Sequence, residues 1–228
     1  PYFRRSEKDL DFGGDIHGFE GPIPISRYKH HKMEVVQQAF FEASLIEGFQ
    51  EQLDMNHPDF AGIGSIPLNN ANGLRINTAM AYLNPDRSRS NLTIRPKSLV
   101  HRVLFDGTRA IGVEVGHGNR STRFEGEEII LCAGAICSPQ ILMLSGVGSA
   151  DQLRSLGIPL VHQLPGVGKN LRDHPMVLLM FKPRDGVVRQ MAPVVQTAIR
   201  YTANGSDTRN DLMILPISYA SNRGTALR

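Results

Sequence analysis

The stretch Cys132-Ala-Gly-Ala-Ile-Cys-Ser-Pro-Gln-Ile-Leu-Met-Leu-Ser-Gly-Val-Gly148 decides the fold, because it places small residues between an apolar segment and a short helix. The preceding segment, 127–132, contains Ile, Ile and Leu in succession and predicts a short β-strand. Gly134 and Ala135 leave no bulk where this strand ends, so another molecule can approach the backbone closely. The pattern predicts a strand-to-helix turn that faces a bound cofactor.

Helix signals follow this turn. Ser138 is a residue type that caps helices, and Pro139 suits a first helical turn, so we expect the helix to begin there. Gly146 and Gly148 are typical of the residues that end a helix. The stretch therefore predicts a short buried helix over residues 140–144, bounded on both sides.

Ten residues of the stretch occur in the order of the second signature of the glucose–methanol–choline flavin oxidoreductases, a family that this chain resembles. They are Gly134, Ala135, Ser138, Pro139, Ile141, Leu142, Ser145, Gly146, Val147 and Gly148. The loop Leu164-Pro-Gly-Val-Gly-Lys-Asn-Leu-Arg-Asp-His-Pro175, the block His17-Gly-Phe-Glu-Gly-Pro22 and the opening segment 1–7 also resemble the family. The resemblance extends to about Pro175.

The resemblance implies an α/β FAD-binding domain, present in part, together with an α+β substrate-binding domain. Residues 76–172 are expected in the FAD-binding domain, and residues 1–75 and 173–228 in the substrate-binding domain. The chain lacks the Gly-x-Gly-x-x-Gly turn that binds a dinucleotide pyrophosphate, and it lacks the C-terminal catalytic segment of the family. We therefore expect it to be an internal piece that is inactive by itself.

FAD is the cofactor that the resemblance implies. Val100 matches a position whose backbone contacts the adenine in the family. The strand end that faces the cofactor is formed by Cys132, Ala133, Gly134 and Ala135. The family's proton-accepting His belongs to the missing segment, so no residue of this chain is predicted to be catalytic, and His174 is expected to have a packing or hydrogen-bonding role.

The implied activity is oxidation of the CH–OH group of a small alcohol, as in choline dehydrogenases and alcohol oxidases, with hydride transfer to the flavin. The expected electron acceptor is oxygen or a quinone-type carrier. Segments 56–72 and 176–228 are expected to form walls of the substrate pocket. Two alternatives remain: a hydroxynitrile lyase of the same family, and a catalytically silent fragment or binding domain.

Several further elements are predicted from local patterns. A helix is expected from His30 to Gly48, with Val36, Phe40 and Ala43 on its buried face. A second helix is expected to begin at Asn77 or Thr78 and to end at Leu83, and a third, over 150–156, to be capped by Ser149. The predicted strands are 91–95, 99–105, 109–115, 121–124 and 127–132, with a hairpin turn at Asp106-Gly107.

Composition excludes several other classes. The 25 basic and 22 acidic residues give a net charge of only +3 and are interspersed, which disfavours a nucleic-acid partner. No apolar run approaches the roughly 20 residues that cross a bilayer. Cys132 and Cys137 are predicted to be small, partly buried packing residues, because neither a disulfide framework nor further metal ligands accompany them.

Overall fold

A computed structural model describes residues 2–118, 120–188 and 193–218. The chain divides into two compact units. The first unit comprises Pro1–Leu92 and Met180–Arg228, and the second unit comprises Thr93–Leu179. The second unit thus begins and ends later than the segment predicted as the FAD-binding portion. Of the predicted pocket walls, residues 189–192 and 219–228 lie outside the described residues.

The strands of the described residues are short, apart from three in the second unit. They are β1 (Glu7–Asp9), β2 (Ile23–Ile25), β3 (Gly62–Ser65), β4 (Asn70–Ala71), β5 (Leu74–Arg75), β6 (Leu99–Asp106), β7 (Arg109–His117), β8 (Arg120–Glu125), β9 (Val147–Gly148), β10 (His162–Gln163), β11 (Thr197–Tyr201) and β12 (Leu212–Ile214).

The helices are few in the same part of the chain. They are α1 (Tyr2–Ser6), α2 (Val35–Ile46), α3 (Asn84–Asp86), α4 (Gly134–Leu144) and α5 (Ala150–Ser155), with a 3₁₀ turn at His30–Lys32 and a π-helical turn at Ala79–Leu83. None of the described helices has the length and apolar character needed to cross a membrane.

The first unit is built on an antiparallel sheet with the strand order β12-β11-β3. Helix α2 packs against β11 and β3. Two clusters of buried apolar side chains accompany this sheet. One cluster contains Met33, Phe41, Ile63 and Ile199, and the other contains Met55, Phe60 and Ala198. Because alternate residues of β11 point to opposite faces of the sheet, Ile199 and Ala198 belong to different clusters.

Helix α2 buries a different face from the one that the apolar pattern predicts. Its buried residues are Gln37, Phe41 and Ser44. Val36 and Phe40 are only half-buried, although Phe40 packs against the core cluster, and Ala43 is exposed. The prediction of the buried face is wrong because Gln37 and Ser44 are buried through hydrogen bonds, which a pattern of apolar residues does not detect. The helix also starts later, at Val35, and ends as predicted before a left-handed Gly48 (φ 90°).

The second unit contains an antiparallel meander, with the strand order β6-β7-β8. The predicted strands 99–105, 109–115 and 121–124 are confirmed within slightly longer elements. Asp106 pairs with Arg109, so residues 107 and 108 form a two-residue hairpin loop, in which Gly107 has a φ of 56°. The sequence signal at Asp106-Gly107 is thereby confirmed, because a tight hairpin turn needs positive φ.

Two predicted strands do not form. Residues 91–95 and 127–132 are assigned to no strand. A β-strand needs a neighbour that accepts and donates ladder hydrogen bonds, and no described strand pairs with either segment. Aliphatic composition alone therefore predicted strands that this part of the chain cannot complete.

The helix in the signature stretch begins earlier than predicted, at Gly134 instead of Ser138. Pro139 lies inside the helix. None of the helix residues is buried, so the prediction of a buried helix is wrong. Ser138 lies within the first two turns, and its hydroxyl accepts a hydrogen bond from the amide of Ala133, the N-cap residue, at 3.0 Å. Ser138 therefore satisfies a backbone N–H at the start of the helix and is not itself the cap. Gly146 ends the helix region with a φ of 86°, as predicted.

Two other predicted helices also differ in detail. The Asn77 side chain accepts a hydrogen bond from the Met80 amide at 2.9 Å, as a cap does, but the helical segment continues past Leu83 to Asp86. Pro85 occupies the start of the last helical piece, where a missing N–H is tolerated. Ser149 precedes α5 as predicted but makes no side-chain capping hydrogen bond.

Candidate functional site

Val100, the predicted adenine contact, lies near the start of β6, half-buried. In the described sheet β6 is an edge strand, paired on one side with β7. The pairing is irregular beside Val100: it faces Val115, and the next pair is Arg102 with Glu114. A β-bulge on an edge strand leaves backbone polar groups without a ladder partner. The position therefore suits a contact made through the backbone.

His101 is the extra residue at this bulge. A Cβ atom built on Gly116 would lie 2.3 Å from the Nε2 atom of His101, so the imidazole occupies the space that a side chain at 116 would need. Gly116 in the Gly116-His-Gly118 run is therefore explained by packing against His101 within the meander. We assign it no role in binding a phosphate.

The segment Cys132–Ala135 leads into the first residues of α4, and all four residues are exposed. Gly134 has a φ of 84°, and a Cβ atom built on it would meet no other atom within 4 Å. Pro139 has no N–H, so it cannot donate the intrahelical hydrogen bond that the Ala135 carbonyl would otherwise accept. The Ala133 amide is already bonded to Ser138. The backbone of this segment is therefore open on its outer side.

Helix α4 connects this open segment to the strand of Val100. Ser145, the residue after α4, accepts a hydrogen bond from the Val103 amide of β6 at 2.8 Å, and its hydroxyl also bonds to the Ile141 carbonyl. Because the Val103 N–H points away from β7, this bond attaches the helix end to the free edge of the sheet. Ser145 was predicted only as part of the signature, and no local pattern indicated its partner.

A cavity of about 310 Å³ lies beside the middle of β6. Its lining includes Val103, Ser145 and the guanidinium-bearing Arg102 and Arg123. Arg102 is already paired with Glu114 at 3.0 Å. Val100 does not line this cavity, so we do not place the predicted cofactor contact in the cavity.

These features fit an extended ligand that approaches the backbone. The exposed small residues and the open space at Gly134 admit close approach, and the bulged edge strand offers main-chain hydrogen-bond groups.

The two cysteines, Cys132 and Cys137, are exposed, not partly buried, so the prediction that they are packing residues is wrong. Nothing in the described second unit covers this end of α4, which is why both thiols reach the surface.

Comparison with known proteins decides the family. The family model described as GMC oxidoreductase matches residues 1–176. The chain belongs to the GMC oxidoreductase family. An uncharacterized GMC-type oxidoreductase of Rhodococcus erythropolis is 40% identical over 218 residues, covering 91% of this chain and 44% of that protein. The mitochondrial choline dehydrogenase of Mus musculus is 46% identical over 176 residues, covering 76% of this chain and 29% of that protein.

A solved structure supports the same assignment. An FAD-dependent oxidoreductase from Chaetomium thermophilum matches this GMC oxidoreductase chain with a TM-score of 0.69 and 31% identity, covering 76% of this chain and 32% of that one. The predicted fold class, a partial α/β FAD-binding domain with an α+β substrate-binding domain, is confirmed at this level. The chain spans less than half the length of these relatives.

The first unit of this GMC oxidoreductase contains a buried charge cluster around the His17 block. Arg27 donates to both carboxylate oxygens of Asp9 at 2.9 Å and to Asp54 at 3.1 Å. The Nε2 atom of His17 lies 2.9 Å from the other Asp54 oxygen. The His17 side chain is 2% exposed and the Arg27 side chain 3% exposed. The cluster thereby ties the loop at Asp54 to the N-terminal segment.

The glycines of the same block allow two stretches of backbone to touch. A Cβ atom on Gly18 would lie 1.9 Å from the Arg4 carbonyl oxygen, and one on Gly21 would lie 2.4 Å from the Glu7 nitrogen. His17 anchors the block through acidic partners, Asp9 and Asp54, which come from outside it. The sequence separation of 37 residues between His17 and Asp54 concealed that contact.

We expect Asp9 to make the free energy of unfolding of the first unit fall as the pH is lowered into the acid range. Burial disfavours its charged form, but hydrogen bonds from the Asp11 and Phe12 amides and from Arg27 outweigh that effect and hold the pKa of Asp9 below its ordinary value of 3.8. Stabilisation by a carboxyl group with a depressed pKa is present above the unfolded pKa, about 3.9, and is lost as the pH falls through the folded value.

We expect Asp9→Asn to lower the free energy of unfolding at neutral pH by about 3 kcal/mol, because Arg27 stays buried with fewer partners. The variant should also lose less stability than the wild type on acidification below about pH 4. Urea unfolding at several pH values measures both effects. Asp15→Asn, at an exposed position, is the matched control. Parallel acid profiles for the wild type and Asp9→Asn would contradict this assignment.

The remaining described histidines are mostly at the surface. His30, His31, His57, His101, His162 and His174 are exposed. His30 packs its ring against Phe41, with 4.9 Å between ring centroids. The His174 backbone amide donates to the Asp173 carboxylate, and the packing or hydrogen-bonding role of the His174 side chain stays a prediction. Among the described residues, no group of three or more His, Cys, Asp or Glu side chains is arranged to hold a metal ion.

Proposed function

We propose that this chain is part of an FAD-dependent oxidoreductase that oxidises the CH–OH group of a small alcohol, as choline dehydrogenases and alcohol oxidases do. The observation that carries the proposal is the open small-residue backbone at Cys132–Ala135 in a chain whose residues 1–176 match the GMC oxidoreductase family. Relatives described as choline dehydrogenases support the alcohol as substrate class. Oxygen or a quinone-type carrier is the proposed electron acceptor.

In this proposal the second unit holds the adenine side of FAD. Val100 contributes backbone groups at a bulged strand edge, and Cys132–Ala135 contribute a surface without bulky side chains. The Ser145 hydroxyl acts as a positioning group, because it attaches the end of α4 to the strand of Val100. FAD held by these residues would supply the hydride acceptor for oxidation of the carbinol carbon, and the hydroxyl proton would pass to a base. We propose no catalytic role for the histidines described here.

The proposal is tested first by the visible absorption spectrum of the purified full-length protein and by release of flavin on denaturation. We expect one FAD per polypeptide. Anaerobic addition of alcohols should then bleach the flavin absorbance, and a panel that includes choline, aliphatic alcohols and aryl alcohols identifies which class does so. A folded protein that contains no flavin, or whose flavin no alcohol reduces, would overturn the proposal.

A variant tests the assigned cofactor residues separately from activity. Ala135→Leu adds bulk on the exposed side of the segment without burying anything in the described unit. We expect it to weaken FAD binding at least tenfold, about 1.4 kcal/mol, measured by titrating the apoprotein with FAD. Gln140→Leu, at another exposed position of α4, is the matched control and should bind as the wild type does. If both variants bind FAD as tightly as the wild type does, Cys132–Ala135 do not belong to the cofactor site.

A further inference from the structure

Arg200 is a cation in the first unit for which the described residues provide no acid. It lies in β11, with its guanidinium over the ring of Phe60 at 4.9 Å. One terminal nitrogen donates to the Phe60 carbonyl at 3.1 Å and approaches the His57 carbonyl at 3.5 Å. Its Nε atom is buried and has no hydrogen-bond partner in the part of the chain that the structure describes. Within the described residues no carboxylate lies within 4.0 Å of this guanidinium.

The nearest acid of this turn is already paired. Asp59, next to Phe60, forms an ion pair with Arg209 at 3.1 Å, and Arg209 also donates to the Asp59 carbonyl. Two guanidinium groups therefore contact the turn 57–60, against one carboxylate. These three groups together carry a net positive charge, and the arginine without a carboxylate partner among the described residues is the less exposed one, Arg200.

An unpaired, partly buried guanidinium with an unsatisfied N–H is costly for the fold by itself. The cost falls when an anion binds, because guanidinium N–H groups and carboxylate oxygens form charge-assisted hydrogen bonds in a fixed planar geometry. Arg200 and the turn 57–60 belong to the two segments expected to form walls of the substrate pocket. Arg200 is partly exposed, so an anionic group on the substrate can reach its guanidinium and supply the charge partner that the described residues do not provide.

We propose that Arg200 is the anion-binding residue of the substrate pocket and that it takes the carboxylate of an alcohol that carries one, such as a hydroxy acid or a hydroxymethyl-substituted aryl acid. This inference rests on the proposed function, which it narrows to one substrate class. It also separates this protein from the relatives described as choline dehydrogenases, because a guanidinium without a counter-charge repels a quaternary ammonium group.

The experiment compares matched alcohols on the full-length flavoprotein. The aliphatic pair is 4-hydroxybutyrate and 1,4-butanediol, and the aryl pair is 4-(hydroxymethyl)benzoate and 4-methylbenzyl alcohol. Each pair differs mainly in charge. For Arg200→Gln we expect KM for the anionic member to rise about 10- to 100-fold, the effect of losing a charged hydrogen bond, with kcat and the neutral member changed less than about twofold.

Asn210→Gly is the control for a purely structural role. The Asn210 side chain donates to the same Phe60 carbonyl at 2.7 Å, and its φ of 56° suits glycine. The variant therefore loosens the same turn without changing the charge. We expect it to change both members of each pair equally. If Arg200→Gln also changes both members equally, Arg200 only holds the turn and the inference is wrong.

A binding measurement separates this inference from the proposed function. If no alcohol reduces the flavin, the proposed function fails, and Arg200 is then judged by calorimetric titration with butyrate and benzoate, which cannot be oxidised at a CH–OH group. Binding to the wild type at least tenfold tighter than to Arg200→Gln sustains an anion site. Equal binding to the two proteins overturns it.

Discussion

Replacing Gln37 by Leu is expected to lower the free energy of unfolding of the first unit by at least about 4 kcal/mol. The Gln37 side chain is completely buried in α2. Its amide nitrogen donates to Pro216 at 2.7 Å, Ser218 at 2.8 Å and Val194 at 3.3 Å. Its amide oxygen accepts from the backbone N–H groups of residues 196 and 197.

Leu preserves the volume of the side chain and removes every one of these bonds. The buried carbonyl, hydroxyl and amide groups of residues 194–197 and 216–218 that bonded to Gln37 then have neither a protein partner nor water, and each such group costs about 1 to 3 kcal/mol. Because a domain is stable by only about 5 to 15 kcal/mol, this loss removes a large part of the stability of the first unit. Urea unfolding followed by circular dichroism measures the loss.

Gln38→Leu is the matched control, one residue along the same helix. Gln38 is half-buried, and its amide donates to the Met33 carbonyl at 2.9 Å and the His30 carbonyl at 3.2 Å, which are close in sequence. We expect this variant to lose about 1 kcal/mol. If Gln38→Leu is as damaging as Gln37→Leu, the buried network around Gln37 does not hold the sheet to α2.

Replacing Gly146 by Ala is expected to cause the largest loss in the second unit, on the order of 3 kcal/mol or more. Gly146 has a φ of 86°, and a Cβ atom on it would lie 2.4 Å from the Pro159 carbonyl oxygen and 2.9 Å from the Val161 side chain. The Gly146 carbonyl also accepts hydrogen bonds from the Val161 and His162 amides. Both the left-handed conformation and the backbone contact therefore require glycine.

Gly157→Ala separates these two causes. Gly157 has a φ of 68°, but a Cβ atom on it would meet nothing within 4 Å. We expect this variant to lose only the cost of a left-handed residue, about 1 to 2 kcal/mol. Thermal melting of the FAD-bound protein, monitored by flavin fluorescence, compares the two. Equal losses would show that the contact with Pro159 does not restrain the chain after α4.

The sequence predicted turns and helix ends correctly where one residue type meets a local backbone requirement. The hairpin at Asp106-Gly107 and the helix ends at Gly48 and Gly146 all occur as predicted, since each depends on a positive φ that glycine adopts easily. The signature stretch identified the family because its residues meet local backbone requirements in a specific order. None of these predictions required knowledge of a distant partner.

Predictions that depended on a distant partner were less successful. Residues 127–132 have the composition of a strand but no described strand beside them, and the thiol of Cys132 is consequently exposed. The buried face of α2 was wrong because Gln37 is buried by groups that lie more than 150 residues along the chain. The candidate cofactor residues Val100 and Cys132–Ala135 stay predictions that came from the family resemblance.

The sequence by itself determined the family, the fold class and the places where the backbone turns, because order and residue type carry that information locally. Only the tertiary structure decided which polar groups are buried and what they contact. The Asp9–Arg27–Asp54 cluster depends on residues that are brought together from separate segments, and so does Arg200, which has no carboxylate partner among the residues that the structure describes. Burial and charge balance arise from that assembly, and no local pattern contains them.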